Sequence, residues 1–224
     1  MPNIYQFKDF DGSSHRILIR LIRRHSRNGG LLVDLGAAGG ELGEAVRGRF
    51  DRTIGFELDL DRMQHLRTRF DQVVIADLER LVSLPRASVI VMADVLEHLR
   101  DPSPLLRLVR SSLTDDGHLY VSVPNIANVT TRIGLLFGVF RYRDRGILDA
   151  THLRFYTMKT IREEIARAGF EIITVRGSSI PIRLIIGTSL PDSLLRLGER
   201  VLSTITQTWR ALFAYQIILV ARPR

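Results

Sequence analysis

The chain has 224 residues, of which 45% are hydrophobic, and this length supports one substantial core rather than two independent domains. It has no cysteine, which excludes a disulfide framework and a thiolate zinc site. The formal net charge is +8, and lysine occurs only at Lys8 and Lys159, so arginine supplies almost all of the positive charge. The N-terminus is polar and the apolar run Ile133 to Phe140 is too short to span a bilayer, so we expect a soluble cytoplasmic protein.

The N-terminal region, residues 1–29, is predicted to contain a basic amphipathic helix. Arginines and aliphatic residues alternate there at helical spacing. They are Arg16, Arg20, Arg23, Arg24 and Arg27, with Ile17, Leu18, Ile19, Leu21 and Ile22. We expect the aliphatic face to pack on the core and the arginines to face water. Contact with an anionic membrane or a polyanion is the alternative.

A buried strand, a glycine-rich turn and a helix follow. The strand is Leu31 to Leu35, the turn runs through Gly36, Gly39 and Gly40, and the helix covers about residues 41–47. A second strand over residues 53–57 ends at Glu57, which lies 21 positions after Gly36. This spacing is typical of nucleoside-binding turns in which an acid binds a ribose.

From the first strand onward, strands and helices alternate, which predicts an α/β fold of three layers with a mostly parallel sheet. Further strands are predicted at 72–76, 88–92, 118–123, 170–175 and 216–221, and helices at 60–69, 103–113, 157–168 and 193–213. The last helix has apolar residues at three- or four-residue intervals, which is typical of a core-packing helix or a lid. Residues 124–156 are predicted to be irregular, and a loop of that length beside a sheet is usually functional.

The order of these pieces resembles the class I S-adenosylmethionine (SAM)-dependent methyltransferases. The turn Asp34-Leu35-Gly36-Ala37-Ala38-Gly39-Gly40 is similar to the family's acid-x-Gly-x-Gly-x-Gly motif, with Ala38 in place of the middle glycine. The resemblance implies that Gly36, Ala37, Ala38 and Gly40 line the methionine part of SAM, and that Asp34 fixes either the turn or the amine of the ligand. It also implies that Glu57 with Leu58 binds the ribose, Asp77 with Leu78 binds the adenine, and Ala93 with Asp94 lines the same edge.

Later motifs extend the resemblance. Asp94-Val95-Leu96-Glu97-His98 resembles the family's acid-x-x-Glu-His segment, and Leu148 to Thr157 is similar to methyltransferases of sugar and polysaccharide biosynthesis. An antiparallel last strand belongs to this Rossmann-like fold. We therefore expect residues 1–224 to form a single methyltransferase domain with a substrate-side insertion at 124–156 and a helical insertion at 177–214.

Asp94, His98 and His152 are the candidate catalytic residues. Methyl transfer to a hydroxyl requires a group that accepts its proton, and His152 or His98 is suitable. Alternatively, Asp94, Glu97, His98 and His152 together hold Mg²⁺ or Mn²⁺, as a similar segment does in small-RNA 3′-terminal 2′-O-methyltransferases. A structural interpretation also stays open, in which Glu97 and His98 only orient the next helix and His152 is an ordinary loop residue.

The favoured function is O-methylation of a small molecule or saccharide. Aromatic and basic side chains in and after the long loop are candidates for the acceptor pocket: Phe137, Phe140, Tyr142, Phe155 and Tyr156, with Arg141, Arg143, Arg145 and Arg154. RNA 2′-hydroxyl methylation is the weaker alternative, because no RNA-binding module is recognised. A non-catalytic SAM-binding or scaffold module is a third, and the sequence does not indicate an oligomeric state.

Overall fold

The computed structural model describes residues 12–180 and 192–224. Within these residues the strands are β1 (Leu31–Leu35), β2 (Arg52–Glu57), β3 (Gln72–Ile75), β4 (Ala87–Ala93), β5 (Leu113–Pro124), β6 (Phe170–Gly177) and β7 (Gln216–Pro223). The helices are α1 (Ser14–His25), α2 (Glu41–Val46), α3 (Met63–Arg69), α4 (Ser103–Ser112), α5 (Val129–Leu136), α6 (Met158–Arg167), α7 (Asp192–Thr208) and α8 (Arg210–Phe213).

The seven strands form one mixed sheet in the order β3-β2-β1-β4-β5-β7-β6. Strands β1 to β5 are parallel to one another, whereas β7 is antiparallel to both β5 and β6. This arrangement confirms the predicted fold class, including the antiparallel last strand. Because the carboxyl ends of parallel strands meet at one edge, the turns after β1, β2, β3 and β4 come together there.

Helices cover both faces of the sheet. The side chains of β4 alternate between these two faces, so each face packs against its own set of helices. Val89 and Val91 pack with α1, α2 and α3, whereas Ile90 and Met92 pack with α4 and α6. The three predicted layers are therefore present.

Helix α1 packs its aliphatic residues on the sheet, as the core-packing interpretation predicts. All five of them are 8% exposed or less, and they share a cluster with Tyr120. The arginines point outward: Arg23 donates to the Ala45 carbonyl, and Arg27 lies 3.5 Å from Asp116. The apolar face of α1 is therefore part of the core and is not available to a membrane.

Two predicted helices differ in detail from the structure. Residues Leu60–Arg62 form a 3₁₀ turn, so the helix predicted from residue 60 begins at Met63. The helix predicted over 193–213 is divided into α7 and α8, because Trp209 adopts a non-helical conformation with φ −120° and ψ 59°. No helix among the described residues is long and apolar enough to cross a membrane.

The long segment 124–156 is not wholly irregular, since it contains α5. Helix α7 was predicted to be a core-packing helix or a lid, and Leu194, Leu197 and Val201 are exposed, so these residues do not pack in the core. Residues 1–11 of the N-terminal region and 181–191 of the predicted helical insertion lie outside the described residues.

Candidate functional site

The glycine-rich turn is tied to the neighbouring strand. The amides of Gly36 and Ala37 both donate to the carbonyl of Phe56 at 2.9 Å. Gly40 precedes α2 with a φ of 80°, a left-handed conformation that glycine adopts without strain. The turn is therefore fixed at the carboxyl edge of β1 and β2, with α2 starting directly behind it.

Ala38 also has left-handed backbone, with a φ of 49°. An L-residue with a Cβ pays roughly 1–2 kcal/mol in this region, which explains why a glycine is favoured at this point of the motif. The carboxylate of Glu57 holds the strained amide, because its Oε2 accepts a hydrogen bond from Ala38 N–H at 2.8 Å. The sequence departure at Ala38 therefore leaves the course of the turn intact.

Glu57 is more heavily engaged than the sequence suggests. Its Oε1 accepts hydrogen bonds from the amides of Leu58 at 3.0 Å and Asp59 at 3.1 Å, in addition to the bond from Ala38. A carboxylate has about four acceptor positions, so about one is left for a ligand. Binding both hydroxyls of a ribose, the predicted role, requires that one of these loop amides give way.

Asp34 is a buried acid behind the turn. Burial, with the negative charges of Glu57 and Glu41 nearby, raises the pKa of Asp34 to about 7. A ligand ammonium or sulfonium placed beside this carboxyl would stabilise the ionised form. Its predicted role toward the amine of a cofactor is therefore consistent with its environment.

The other predicted cofactor residues lie on the same edge. The Ala76 amide donates to the Glu57 carbonyl at 2.9 Å, which brings the end of β3 beside that of β2. Asp77 then begins a 3₁₀ turn in which Leu78 packs against the core, while Leu58 is 66% exposed beside Glu57. Ala93 ends β4.

Asp94 has a strained backbone and a firmly held carboxylate. Its φ is 56°, in the left-handed region that non-glycine residues rarely adopt. Its Oδ1 accepts a hydrogen bond from the Ser122 hydroxyl, and its Oδ2 accepts one from the Gln216 amide, both at 2.6 Å. Strain that is held in place by several elements is typical of functional positions.

Sequence reasoning missed Ser122 and Gln216. Both side chains are polar, both lie in otherwise apolar strands, and both are almost fully buried, at 0% and 3% exposed. A polar residue in a strand of that composition needs a buried partner, and this signal was present in the sequence.

Glu97, His98 and His152 converge, although His152 lies more than fifty residues along the chain. Each offers a ligand atom, and these atoms lie within 4.8 Å of one another. The amides of Leu153 and Arg154 donate to the Glu97 carbonyl at 2.8 and 3.0 Å, which fixes the two segments together. The structure therefore brings together three of the four residues named as candidate metal ligands, and Asp94 is not part of this group.

The two histidines have defined ring orientations. His152 Nδ1 lies 3.2 Å from the carbonyl of Ile147, and His98 Nδ1 lies 3.3 Å from that of Thr151. A carbonyl only accepts, so the Nδ1 of His152 carries the proton and its Nε2 has a lone pair for a proton or a metal. His98 Nδ1 also lies 3.3 Å from the Thr151 hydroxyl, which can donate to it. Burial, and secondly the charge of His98, lower the pKa of His152, so its ring is neutral at pH 7.

An aromatic series leads from His152 to the surface. Ring centroids are separated by 6.3 Å for His152 and Phe155, 6.1 Å for Phe155 and Phe140, and 5.5 Å for Phe140 and Tyr142. Tyr156, predicted to line the same pocket, is instead 4% exposed and packs in the core.

Arg154, predicted as an anion ligand, is used structurally. Its guanidinium donates to the carbonyls of Leu99 and Arg100, so it clamps the segment that carries His152. By contrast, Arg141, Arg143 and Arg145 are exposed.

Two asparagines that the sequence reasoning did not single out anchor this segment. Asn125 and Asn128 are fully buried, and both donate to the Ala214 carbonyl, at 3.0 and 2.9 Å. Asn128 also caps α5 by accepting from the Thr130 amide at 3.0 Å. The start of α5 is therefore fixed against the end of α8.

The family model described as "Methyltransferase domain" matches residues 10–175, about three quarters of the chain. No curated protein matches the sequence.

Solved structures of low sequence identity share the fold. A SAM-dependent methyltransferase from Archaeoglobus fulgidus is 18% identical with a TM-score of 0.59, covering 93% of this chain and 94% of its own. One from Clostridium acetobutylicum is 13% identical with a TM-score of 0.62, covering 96% and 92%. A TehB-like SAM-dependent methyltransferase from Corynebacterium glutamicum is 16% identical with a TM-score of 0.58, covering 92% and 87%. The chain shares its fold with these SAM-dependent methyltransferases, and it belongs to the methyltransferase-domain family.

Proposed function

We propose that this methyltransferase transfers the methyl group of SAM to a hydroxyl oxygen of a small molecule or saccharide. The observation that carries the proposal is His152: a buried, neutral imidazole whose Nδ1 proton is committed to the Ile147 carbonyl. Such a ring is oriented to accept a proton at Nε2. A nitrogen acceptor that is already neutral does not require this base, whereas a hydroxyl acceptor does.

The reaction is a direct displacement. The acceptor oxygen forms a bond to the methyl carbon, the bond between that carbon and the sulfonium sulfur breaks, and His152 Nε2 takes the hydroxyl proton. S-adenosylhomocysteine (SAH) leaves as a neutral sulfide. The turn from Gly36 to Gly40 positions the cofactor, and alignment of this kind supplies roughly 7–11 kcal/mol of the barrier reduction.

The surroundings of His152 support a cyclic, partly apolar acceptor with an anionic group. Phe155, Phe140 and Tyr142 form an aromatic series beginning at His152, and aromatic faces suit the CH-rich face of a sugar or another ring. The exposed Arg141, Arg143 and Arg145 in the same segment suit a phosphate or carboxylate. A phosphate-bearing saccharide has both features, which agrees with the resemblance to sugar and polysaccharide methyltransferases.

Methyl transfer from radiolabelled SAM into extracts separated into lipid, saccharide, RNA and protein tests this proposal. We expect label in an alkali-stable ether of the saccharide or small-molecule fraction. Label confined to protein or RNA would contradict the proposed acceptor class.

On the labelled acceptor, His152→Ala should lower kcat by about 100-fold or more, as loss of a general base does. The matched control, His65→Ala, removes an exposed imidazole on α3 and should leave kcat unchanged. Because the pKa of His152 is lowered, the acid limb of the wild-type kcat profile should lie below pH 6.5. A His152→Ala variant with wild-type kcat would show that His152 is not the general base.

A second candidate is metal-dependent methylation, which the convergence of Glu97, His98 and His152 favours. Two imidazole nitrogens and one carboxylate suit Mn²⁺ better than Mg²⁺, which prefers oxygen ligands. A cation held there would acidify a hydroxyl of the acceptor. This candidate includes RNA 3′-terminal 2′-O-methylation.

Removal of metal separates the two candidates. If EDTA abolishes methyl transfer and Mn²⁺ restores it, the reaction is metal-dependent and His152 does not act as a base without the metal. Full activity in EDTA rejects the metal. If SAH binds and no fraction accepts a methyl group under either condition, the chain is a non-catalytic SAM-binding module.

A further inference from the structure

Helix α7 exposes several of its aliphatic side chains along one side. We call the α7 stripe the residues Leu194, Leu197, Val201, Ile205 and Trp209, which are 58%, 60%, 51%, 37% and 63% exposed. The first four recur at intervals of three or four residues along one side of α7, and Trp209 follows directly after the helix. A row of exposed aliphatic residues of this length indicates a contact surface rather than isolated surface residues.

The opposite side of α7 is held to the sheet by a hydrogen bond from Gln207 and by buried side chains. Gln207 Nε2 donates to the Gly177 carbonyl at 2.6 Å, and Thr206 is fully buried. Leu195 is also buried on this side. The helix is therefore fixed with its apolar stripe facing away from the core, so the exposure does not result from a loosely placed helix.

The stripe ends at a groove rich in arginine. The groove, about 900 Å³ in volume, lies between α6, β6 and α8, and Trp209 belongs to both features. Arg162, Arg176 and Arg210 line it together with apolar side chains such as Ile173 and Val175. Within residues 12–180 and 192–224, none of these three arginines forms an ion pair with an acid. We call this feature the arginine groove.

Apolar side chains next to uncompensated cations match one kind of surface, an anionic lipid bilayer. Aliphatic residues enter the acyl boundary, arginines bind the phosphates, and tryptophan favours the interface between them. A second copy of this chain is a poorer occupant, because it would bring like charge from a molecule of net charge +8 to the groove.

We propose that the α7 stripe and the arginine groove dock this methyltransferase on anionic membranes. The stripe lies in the interfacial layer, and the groove binds lipid phosphates. The sequence suggested α1 as a possible membrane contact, but α1 packs its apolar face in the core. The membrane-facing surface is instead the α7 stripe with the arginine groove. The proposal does not depend on the identity of the methyl acceptor.

Fluorescence of Trp209 tests the proposal directly, because it is the only tryptophan in the chain. Vesicles of equimolar phosphatidylglycerol and phosphatidylcholine are titrated into the full chain, with co-sedimentation as the second measurement. We expect a blue shift of the emission, quenching by brominated acyl chains, and weaker binding at high salt. Vesicles of phosphatidylcholine alone should bind at least about tenfold more weakly.

Two kinds of variant assign the binding to the two features. Leu197→Glu should lower the partition coefficient by about tenfold or more, whereas Val82→Glu, at an 89% exposed loop position, is the matched control and should not. Arg162→Ala and Arg210→Ala should each lower it about fivefold, and Arg67→Ala, exposed on α3, should not.

Three results would overturn the proposal. The first is absence of binding to the anionic vesicles. The second is binding that Leu197→Glu and Val82→Glu weaken equally. The third is a concentration-dependent dimer, seen by analytical ultracentrifugation, that Leu197→Glu abolishes and anionic vesicles do not dissociate, since the stripe would then be a protein interface. SAH binding and methyl transfer to a water-soluble acceptor should be unchanged in Leu197→Glu, so failure here leaves the proposed function standing.

Discussion

At the scale of single residues, Asp34 couples the cofactor site to pH. Its folded pKa of about 7 lies above the unfolded value of 3.8, so the folded chain holds this proton more tightly. Stability therefore falls as pH rises from 3.8 to about 7, by roughly 1.4 kcal/mol per pH unit or on the order of 4 kcal/mol in total. Below pH 3.8, Asp34 is protonated in both the folded and the unfolded chain, so its burial no longer lowers the stability.

We predict that Asp34→Asn stabilises the cofactor-free protein at about pH 8 and has almost no effect at about pH 4. Urea unfolding of the two proteins at both pH values measures the difference. Because a cofactor ammonium requires the ionised acid, wild-type SAH affinity should rise toward pH 8, and that of Asp34→Asn should rise less. Equal pH dependence of stability in the two proteins would show that Asp34 does not titrate as described.

Much of the candidate site was predictable at this scale because each residue follows a recognisable strand end. Glu57, Asp77 and Asp94 come directly after apolar strands, and parallel topology brings such positions to one edge. The bonds that Glu57 makes to loop amides were not predictable, since they depend on loop geometry. The hydrogen bonds that Asp94 accepts from Ser122 and Gln216 were not predictable either, because these two residues come from other strands.

At the scale of elements, α5 is poorly covered by its neighbours, with Thr131 as its one buried residue. Ile133, Leu135 and Leu136 are about half exposed or more, and the helix is tied down at its start through Asn128. The sequence did not predict α5, because eight residues of modest amphipathicity give a weak periodic signal. It did not predict the outward face of α7 either, because periodicity identifies an apolar side without showing what covers it.

We predict that Asn128→Ala loosens this segment. The substitution removes the cap of α5 and leaves the buried Ala214 carbonyl with one donor fewer, so we expect a loss of about 2–4 kcal/mol. Urea unfolding gives this value, and limited proteolysis should show faster cleavage after Arg132 or Arg141. The exposed Asn28→Ala is the control, and an equal effect of both substitutions would contradict the anchoring role of Asn128.

At the scale of the whole molecule, the sheet order places every predicted cofactor residue on one edge and brings residues 151–154 to the same region. The alternation of strands and helices made this fold predictable, because short β-α units allow few other arrangements. The predictions of a single domain over residues 1–224 and of a cytoplasmic location stay predictions.

Each chemical role proposed for this chain requires that SAM bind on the turn at Gly36 to Gly40 with its ribose on Glu57. Calorimetric titration of SAH tests this most directly, using wild type, Glu57→Gln, and Glu163→Gln on the exposed face of α6 as the control. We predict that Glu57→Gln weakens SAH binding by about 10- to 100-fold, as loss of a charge-assisted hydrogen bond does, while Glu163→Gln does not. A Glu57→Gln variant that keeps the wild-type melting temperature and the wild-type affinity for SAH would contradict the cofactor site.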